Sequence, residues 1–264
     1  QDTPAIKITY DASITVTNGF IVKMSANETG MVANDTHTVF TFENKIKMPS
    51  YLIAIAVGDL EYDRSDVEPV SLLSHAKLMQ LLGSLKSFQS SLILLKNILH
   101  HTFGATIQFF VATILPYGRH GKPTSHFCLT HHHNWGQIIV DVAIHEIAHS
   151  WTGNELTCEN WSNFWLNEGF TVFEERIVSA ILHDDDFSKV NAFLGNISAT
   201  QDMLGYGLTN NYSSLYPEIG NNHPDDSFST VPYEKGFQFL YYLQSLIGND
   251  NMQTTLREYI RENS

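Results

Sequence analysis

Two histidines four positions apart, His145 and His149, are the residues of this 264-residue sequence whose type and spacing point most directly to chemistry. On a helix, residues at this spacing lie on one face, so two imidazoles can reach a single metal ion. Glu146 follows the first histidine, where its carboxylate can lie beside the ion without binding it and accept a proton from the water that the ion activates. The segment therefore predicts two metal ligands and a general base.

Glu168 is the predicted third ligand. It lies nineteen positions after His149, inside an apolar run that indicates a second helix packed against the first. Two histidines, one carboxylate and an open position describe a catalytic zinc site better than a closed structural one, so we expect one Zn²⁺ ion. The other interpretation is a buried helix whose histidines are only hydrogen-bonded, and the presence of Glu168 argues against it.

Two helices must position these side chains. Apolar residues before and between the histidines predict a buried helix that ends near Gly153, and the second helix is predicted from about Phe164 to Leu182. Glu175 is seven residues after Glu168 and so on the same face, where it could hydrogen-bond a ligand histidine. A solvated surface charge is the other interpretation of Glu175.

The rest of the chain divides into strands before the metal motif and helices after it. Residues 5–60 alternate apolar and polar side chains around turn signals, which predicts strands, including one over Tyr51–Gly58. Asp184 is expected to help cap the helix that follows, and residues 187–231 to form loops and short helices around a cleft. The pattern around 237–247 predicts another helix ended by Gly248, and 250–262 a last one.

Composition argues against several classes of binding partner and of structural framework. The chain is 43% hydrophobic and 16% charged, as in ordinary globular proteins, and its formal net charge of −13 argues against nucleic-acid or anionic-membrane binding. Cys128 and Cys158 are too few for a disulfide framework and are not spaced as a zinc pair. Without a signal sequence or a long apolar span a cytoplasmic location is expected, and a start that lacks Met indicates a fragment.

A family resemblance rests on three segments of the sequence. They are the run from His145 to Asn154, the Trp-Leu-Asn-Glu-Gly segment around Glu168, and Val231-Pro-Tyr-Glu-Lys-Gly236. Together these resemble the gluzincin zinc aminopeptidases (membrane alanyl aminopeptidase type), in the branch of leukotriene-A hydrolase. The resemblance covers roughly residues 1–70 and 138–264.

That resemblance implies an α+β fold. Residues 1–60 would be the C-terminal part of an N-terminal β domain, and 61–264 a thermolysin-like catalytic domain that is mostly helical in its second half. The helical C-terminal domain of the family would be absent. The resemblance also implies that Tyr233 stabilises the oxyanion of the tetrahedral intermediate, as hydrogen-bond donors do generally. The substrates would be peptides cut at their N-terminal bond.

Residues 71–137 do not fit this resemblance. The family's Gly-x-Met-Glu-Asn loop, whose glutamate binds the substrate's free amine, is missing. With a suitable choice of codons, residues 119–137 read one nucleotide out of frame can spell that loop and the next strand, and two earlier pieces behave likewise. We therefore expect compensating frameshifts in the gene or in its sequencing, and poor order in this region. A Cys-His tract over 128–133 could bind metal, but no regular element fixes its spacing.

Three functions remain open on the sequence. The first is a zinc aminopeptidase, or a fragment of one. The second is a zinc-binding pseudoenzyme without peptidase activity, because the amine-binding loop is missing. The third keeps catalysis without the free-amine requirement, as an endopeptidase. Substrate-binding residues and oligomeric state are not predicted.

Overall fold

The computed structural model describes residues 3–59, 62–63, 70–72, 144–146 and 148–263. Strands precede helices in the described chain, so the predicted α+β class with a helical second half is confirmed. The Cys-His tract at 128–133 and almost all of residues 71–137, for which poor order is expected, fall outside these residues. Within the described part, no helix combines the length and the apolar character needed to cross a membrane.

The N-terminal region consists of antiparallel strands. β1 (Lys7–Thr17), β4 (His37–Pro49) and β3 (Asn27–Ala33) form one sheet in the order β1-β4-β3, and β2 (Ile21–Met24) pairs with β5 (Ile55–Gly58). A short pair joins β6 (Tyr62–Asp63) to β7 (Val70–Leu72). The register of β1 and β4 places Ile14 opposite Phe40 and Ala12 opposite Phe42.

The alternation seen in the sequence sets the faces of these strands. In β1, the side chains of Tyr10, Ile14 and Val16 turn inward while the intervening ones are exposed. They pack on a buried cluster formed by residues of β2, β4 and the segment after β2, namely Val22, Met24, Ala26, Phe40 and Phe42. The predicted strand over Tyr51–Gly58 is only half right, because Ser50–Leu52 is a 3-10 turn.

The C-terminal region contains four long helices. They are α1 (Phe164–Leu182), α2 (Asp185–Tyr206), α3 (Gly236–Ile247) and α4 (Asn249–Asn263). A five-residue π-helix, Val231–Lys235, runs directly into α3. α1 has the predicted bounds and Gly248 ends α3 as expected, but 187–231 were predicted as loops and short helices, and α2 shows that prediction to be wrong.

The helices pack around α1. Its residues Val172 and Phe173 form a buried cluster with Phe237 and Leu240 of α3 and with Met252 and Leu256 of α4. Asp184 caps α2 by accepting a hydrogen bond from the Phe187 amide at 2.7 Å, as predicted. The Lys7 ammonium of β1 donates to the Glu155 carbonyl at 2.6 Å, which ties the first sheet to the segment after the metal motif.

Candidate metal centre

A short helical turn positions the two histidines. Residues 144–146 and 148 are helical, and the His149 amide donates to the His145 carbonyl at 3.1 Å, the bond of an α-helical turn. Ile144 and Ala148 are wholly buried, which anchors one side of the turn and leaves both imidazoles on the other. The ring centroids lie 4.7 Å apart. This helix was predicted to continue to about Gly153, but turn geometry begins at His149.

Glu168 of α1 meets both histidines. Its Oε2 atom lies 3.3 Å from His145 Nε2 and 3.1 Å from His149 Nε2, and the residue is 6% exposed. Ligands at zinc distances of about 2.0–2.1 Å in a tetrahedron stand roughly 3.3–3.4 Å from one another, so this spacing suits a common ion. Among the described residues, His145, His149 and Glu168 form a group whose ligand atoms lie close enough together to hold one metal ion.

The Glu168 oxygen provides a test of the fit. Oε2 is buried and makes no hydrogen bond of acceptable geometry within the described part of the chain, although both imidazole nitrogens are near. A buried carboxylate oxygen without a well-formed hydrogen bond is costly, and a cation placed between this oxygen and the two imidazole nitrogens would satisfy it. The nitrogen and oxygen donors are also the set that zinc prefers. The residues present therefore fit a zinc ion.

The Nδ1 atoms of both histidines have their own partners. His145 Nδ1 lies 2.9 Å from Glu175 Oε2, and His149 Nδ1 lies 2.9 Å from the Thr152 carbonyl oxygen. Since both partners are acceptors, each imidazole can donate its Nδ1 proton to them, so that Nε2 faces Glu168 and offers its lone pair to a metal once it has released its own proton. Glu175 thus lies where the sequence placed it, and its contribution to metal binding stays a prediction.

Thr171 supports His149 from α1, and sequence reasoning missed it. Its hydroxyl lies 3.1 Å from His149 Nδ1, 2.9 Å from the Thr152 carbonyl and 2.8 Å from the Asn167 carbonyl. Gly153 comes so close that a Cβ there would stand 2.8 Å from His149 Nδ1, and its φ of +129° also favours glycine. The spacing of Thr171, three residues after Glu168 on one helix face, is the signal that could have identified it.

In the metal-free site, the carboxylates of Glu168 and Glu175 determine which side chains are charged. Burial disfavours the charged form of His145, but Glu168 and Glu175 outweigh it and raise the pKa of His145 to about 10. Burial also opposes ionisation of Glu168, and the two histidines overcome it, so the pKa of Glu168 is lowered. The Glu168 carboxylate is therefore ionised at neutral pH and able to bind a cation.

Tyr233 lies against the metal-binding residues. It belongs to the π-helix, and its ring stacks near the His145 ring with centroids 6.1 Å apart. Burial raises the pKa of the Tyr233 hydroxyl, and the nearby charges of Glu168 and Glu146 raise it further. The phenol is therefore protonated at neutral pH and can donate a hydrogen bond. Glu146 itself is exposed.

Aromatic rings continue from Tyr233 along one side of the site. Phe164 lies 6.0 Å from Tyr233 and 6.3 Å from Phe228 between ring centroids, and Trp161 lies 5.7 Å from Phe164. Tyr51 extends the row, 5.2 Å from Trp161. Sequence reasoning did not single out this row, because its members come from four separate segments. Residues 119–137, which can spell the missing amine-binding loop out of frame, lie outside the described residues.

Comparison with known sequences bears on the same region. The sequence profile described as the peptidase family M1 domain matches residues 129–264. Leucine aminopeptidase 2 of Emericella nidulans is 32% identical over 266 residues, which cover 98% of this chain and 43% of that protein. Leucine aminopeptidase 2 of Coccidioides immitis is 32% identical over 269 residues, 98% of this chain and 42% of the relative. The chain therefore spans less than half the length of these relatives.

Solved structures of other proteins superpose on this chain. Native yeast LTA4 hydrolase superposes with a TM-score of 0.79 at 26% identity, covering 100% of this chain and 42% of that one. An M1 zinc metallopeptidase from Deinococcus radiodurans superposes with a TM-score of 0.64 at 16% identity, covering 98% of this chain and 57% of that one. The second likeness concerns the fold alone.

Proposed function

Because the chain belongs to peptidase family M1, we propose that it carries the catalytic centre of a zinc metallo-aminopeptidase, which removes the N-terminal residue of peptides by hydrolysis. The observation that supports this most directly is the convergence of His145, His149 and Glu168 at ligand spacing, with Tyr233 beside them. The predicted division at residue 60, between a β domain and a catalytic domain, is part of the proposal. So is the expected cytoplasmic location.

His145, His149 and Glu168 would hold one Zn²⁺ ion. When bound, the ion would act as a Lewis acid, which polarises a carbonyl and makes water more acidic. The chain's own contribution is to hold the ligands in place: Glu175 and the Thr152 carbonyl fix the imidazole orientations, and α1 buries Glu168.

Glu146 and Tyr233 would handle the proton and the developing charge. Glu146 is exposed and directly follows His145, and its carboxylate would accept a proton from the attacking water and later give it to the leaving amine. Tyr233 keeps its proton at neutral pH and would donate a hydrogen bond to the oxyanion. The row of aromatic rings beside Tyr233 would exclude water from one side of the substrate.

A zinc-binding pseudoenzyme is the second candidate function. The observation that favours it is the absence from the sequence of the Gly-x-Met-Glu-Asn loop, because an aminopeptidase needs a carboxylate to bind the substrate's terminal ammonium. High-accuracy sequencing of the coding DNA over residues 70–140 tests the frameshift interpretation. A single-base insertion or deletion that restores the loop would support the aminopeptidase, whereas a confirmed frame would favour the pseudoenzyme.

The direct experiment measures zinc and hydrolysis on the same preparations. We expect about one zinc per chain, release of aniline from an aminoacyl-anilide, and no cleavage of the N-acetylated substrate. Glu146→Gln should retain zinc and lose roughly 10²–10⁴-fold in kcat, as is typical for a general base. Glu168→Ala should lose both bound zinc and hydrolysis, and the exposed Glu262→Gln should retain both. Zinc without hydrolysis in the unmodified chain would support the pseudoenzyme, and cleavage of the acetylated substrate an endopeptidase.

A further inference from the structure

The π-helix that carries Tyr233 is held at three points by side-chain contacts with other segments. At its start, the Asp202 carboxylate of α2 accepts hydrogen bonds from the Thr230 amide and hydroxyl, each at 2.7 Å. At its end, the Lys235 ammonium donates to the Ser213 carbonyl at 2.7 Å. The third contact is an ion pair at Glu234, the residue next to Tyr233. π-helices are rare and short, so such support is what keeps this backbone in place.

The ion pair joins Glu234 to Arg176 of α1. Arg176 Nη2 lies 2.8 Å from Glu234 Oε1 and 2.7 Å from Oε2, and the two side chains are only 7% and 15% exposed. The guanidinium carbon also lies 4.0 Å from the centre of the Phe237 ring. Arg176 Nη2 makes one longer bond, 3.3 Å, to the Asn191 carbonyl of α2. The guanidinium is therefore enclosed by α1, α2, α3 and the π-helix.

The pair connects the metal ligand to the tyrosine. Arg176 lies eight residues, about two helical turns, after Glu168 on α1, and Glu234 is adjacent to Tyr233. A Cβ on Gly169 of α1 would stand 3.3 Å from the Pro232 carbonyl oxygen of the π-helix and 2.8 Å from the Cα of Gly236, the first residue of α3. Contacts at Pro232, which precedes Tyr233, and at Glu234, which follows it, thus hold the π-helix against the helix that carries Glu168.

Stability alone is a poor explanation for this pair. Removing two charges from water costs free energy that their attraction often fails to recover, and apolar replacements of buried pairs are often neutral or stabilising. What a buried pair does provide is a fixed geometry, here with one guanidinium nitrogen, Nη2, in contact with both carboxylate oxygens of Glu234. α2 enforces that geometry, because a Cβ at Gly195 would overlap the Glu234 carboxylate.

We propose that Arg176 and Glu234 are positioning residues that fix the Tyr233 hydroxyl relative to Glu168 and the two histidines. The expected effect on kcat rests on the proposed peptidase function. The expected effect on the position of the Tyr233 hydroxyl does not. Displacing a reacting group by about 1 Å can cost on the order of 10²-fold in rate, so loss of the pair should lower kcat more than it raises KM.

A double-mutant cycle with Tyr233 tests the proposal. Arg176→Met and Glu234→Gln are each made in the unmodified chain and in Tyr233→Phe, with Arg176→Lys as a variant that keeps the charge. Lys189→Met, which breaks an exposed ion pair with Asp186 at 3.0 Å, is the matched control. We expect Arg176→Met to reduce kcat about 10–100-fold with little change in KM. Arg176→Lys should recover part of the rate, and in Tyr233→Phe the substitutions should have no further effect.

A second measurement does not depend on catalysis. With 3-fluorotyrosine incorporated at position 233, the ¹⁹F resonance should shift or split in Arg176→Met and remain in place in Lys189→Met, at unchanged zinc content. An unmoved resonance, or an equal loss of kcat with and without Tyr233, would overturn the proposal and leave a purely structural pair. If the resonance moves but no variant or parent hydrolyses peptides, the positioning role stands and the proposed function fails.

Discussion

Helices α1 and α2 are neighbours in the chain but differ in what they bury. α1 buries ten of its nineteen residues, and six of these are polar or charged: Asn167, Glu168, Thr171, Glu174, Arg176 and Ser179. α2 has 22 residues and buries only Gly195 and Ala199, while it exposes large apolar side chains at Val190, Phe193, Leu194, Ile197 and Leu204.

The difference shows where the chemistry of this molecule is concentrated. Exposed apolar residues are common on protein surfaces, whereas buried polar groups are costly unless they have partners. On α1 these groups face the histidines, the Thr152 segment and the π-helix, so one helix supplies a ligand, a support for His149 and a support for Tyr233. Substitutions on α1 should therefore act on both folding and the site, and those on α2 mainly on local stability.

Gly169→Ala should give the largest effect. The new Cβ would stand 2.8 Å from the Gly236 Cα, 3.0 Å from its carbonyl carbon and 3.3 Å from the Pro232 oxygen, all backbone atoms that cannot rotate away. We expect destabilisation at the upper end of the roughly 1–3 kcal/mol typical of overpacking, measured by chemical unfolding. Because the π-helix must move with Gly236, kcat should fall as well. A loss of less than about 0.5 kcal/mol would show that the two backbones separate easily.

Glu175→Gln should act on the metal. The substitution keeps the size of the side chain and an acceptor oxygen for His145 Nδ1 but removes the charge that favours donation at 2.9 Å. Loss of such outer partners typically weakens metal affinity about 10–100-fold, which chelator competition can measure. Exposed Glu159→Gln serves as the control. If zinc affinity is unchanged, Glu175 is the solvated helix charge that the sequence left open.

Glu174→Gln should change how stability depends on pH. Burial raises the pKa of Glu174 well above its ordinary value of 4.5, and the Thr152 hydroxyl and the charge of His145 oppose this only in part. The folded chain then holds a proton that the unfolded chain releases above about pH 4.5, so stability falls as pH rises toward the folded pKa, by up to about 1.4 kcal/mol per unit.

The difference in unfolding free energy between Glu174→Gln and the parent isolates this group, because other titrations cancel. In urea unfolding, we expect the unfolding free energy of the variant to rise relative to that of the parent from pH 5 to pH 8. A difference that is constant over that range would mean that Glu174 is ionised in the folded chain.

Periodicity explains which parts of this fold could be predicted. β1 alternates from Ile8 onward, and α1 coincides with an apolar run long enough to mark both of its ends, so both were predicted. α2 was not, because it has no buried apolar stripe and contains Gly195 and Gly205. The Asp184 cap was the local signal that marked its start.

The predicted ligands of the metal centre could be identified because two of them lie on one helical turn and the third follows at a recognisable spacing. The Arg176–Glu234 pair could not, since its importance depends on a contact between residues 58 positions apart, whereas Thr171 was missed although its spacing after Glu168 placed it on the same helix face. Short-range patterns contain no information about which distant backbone will approach. The buried polar residues of α1 became interpretable only once their partners were known.

Gly205→Ala is the smallest and the most discriminating test of the comparison between the two helices. Gly205 lies in the last turn of α2 and is exposed, and a Cβ added there would meet no atom within 4 Å, in contrast to Gly169 on α1. Alanine there restricts the unfolded chain and has the higher helix propensity, so we expect stabilisation by about 0.5–1 kcal/mol in chemical unfolding, with kcat and zinc content unchanged. The same substitution thus has opposite signs on the two helices. If Gly205→Ala destabilised the chain or lowered kcat, α2 would be coupled to the site through more than its contacts at Asp202 and Gly195, and the contrast drawn between the two helices would fail.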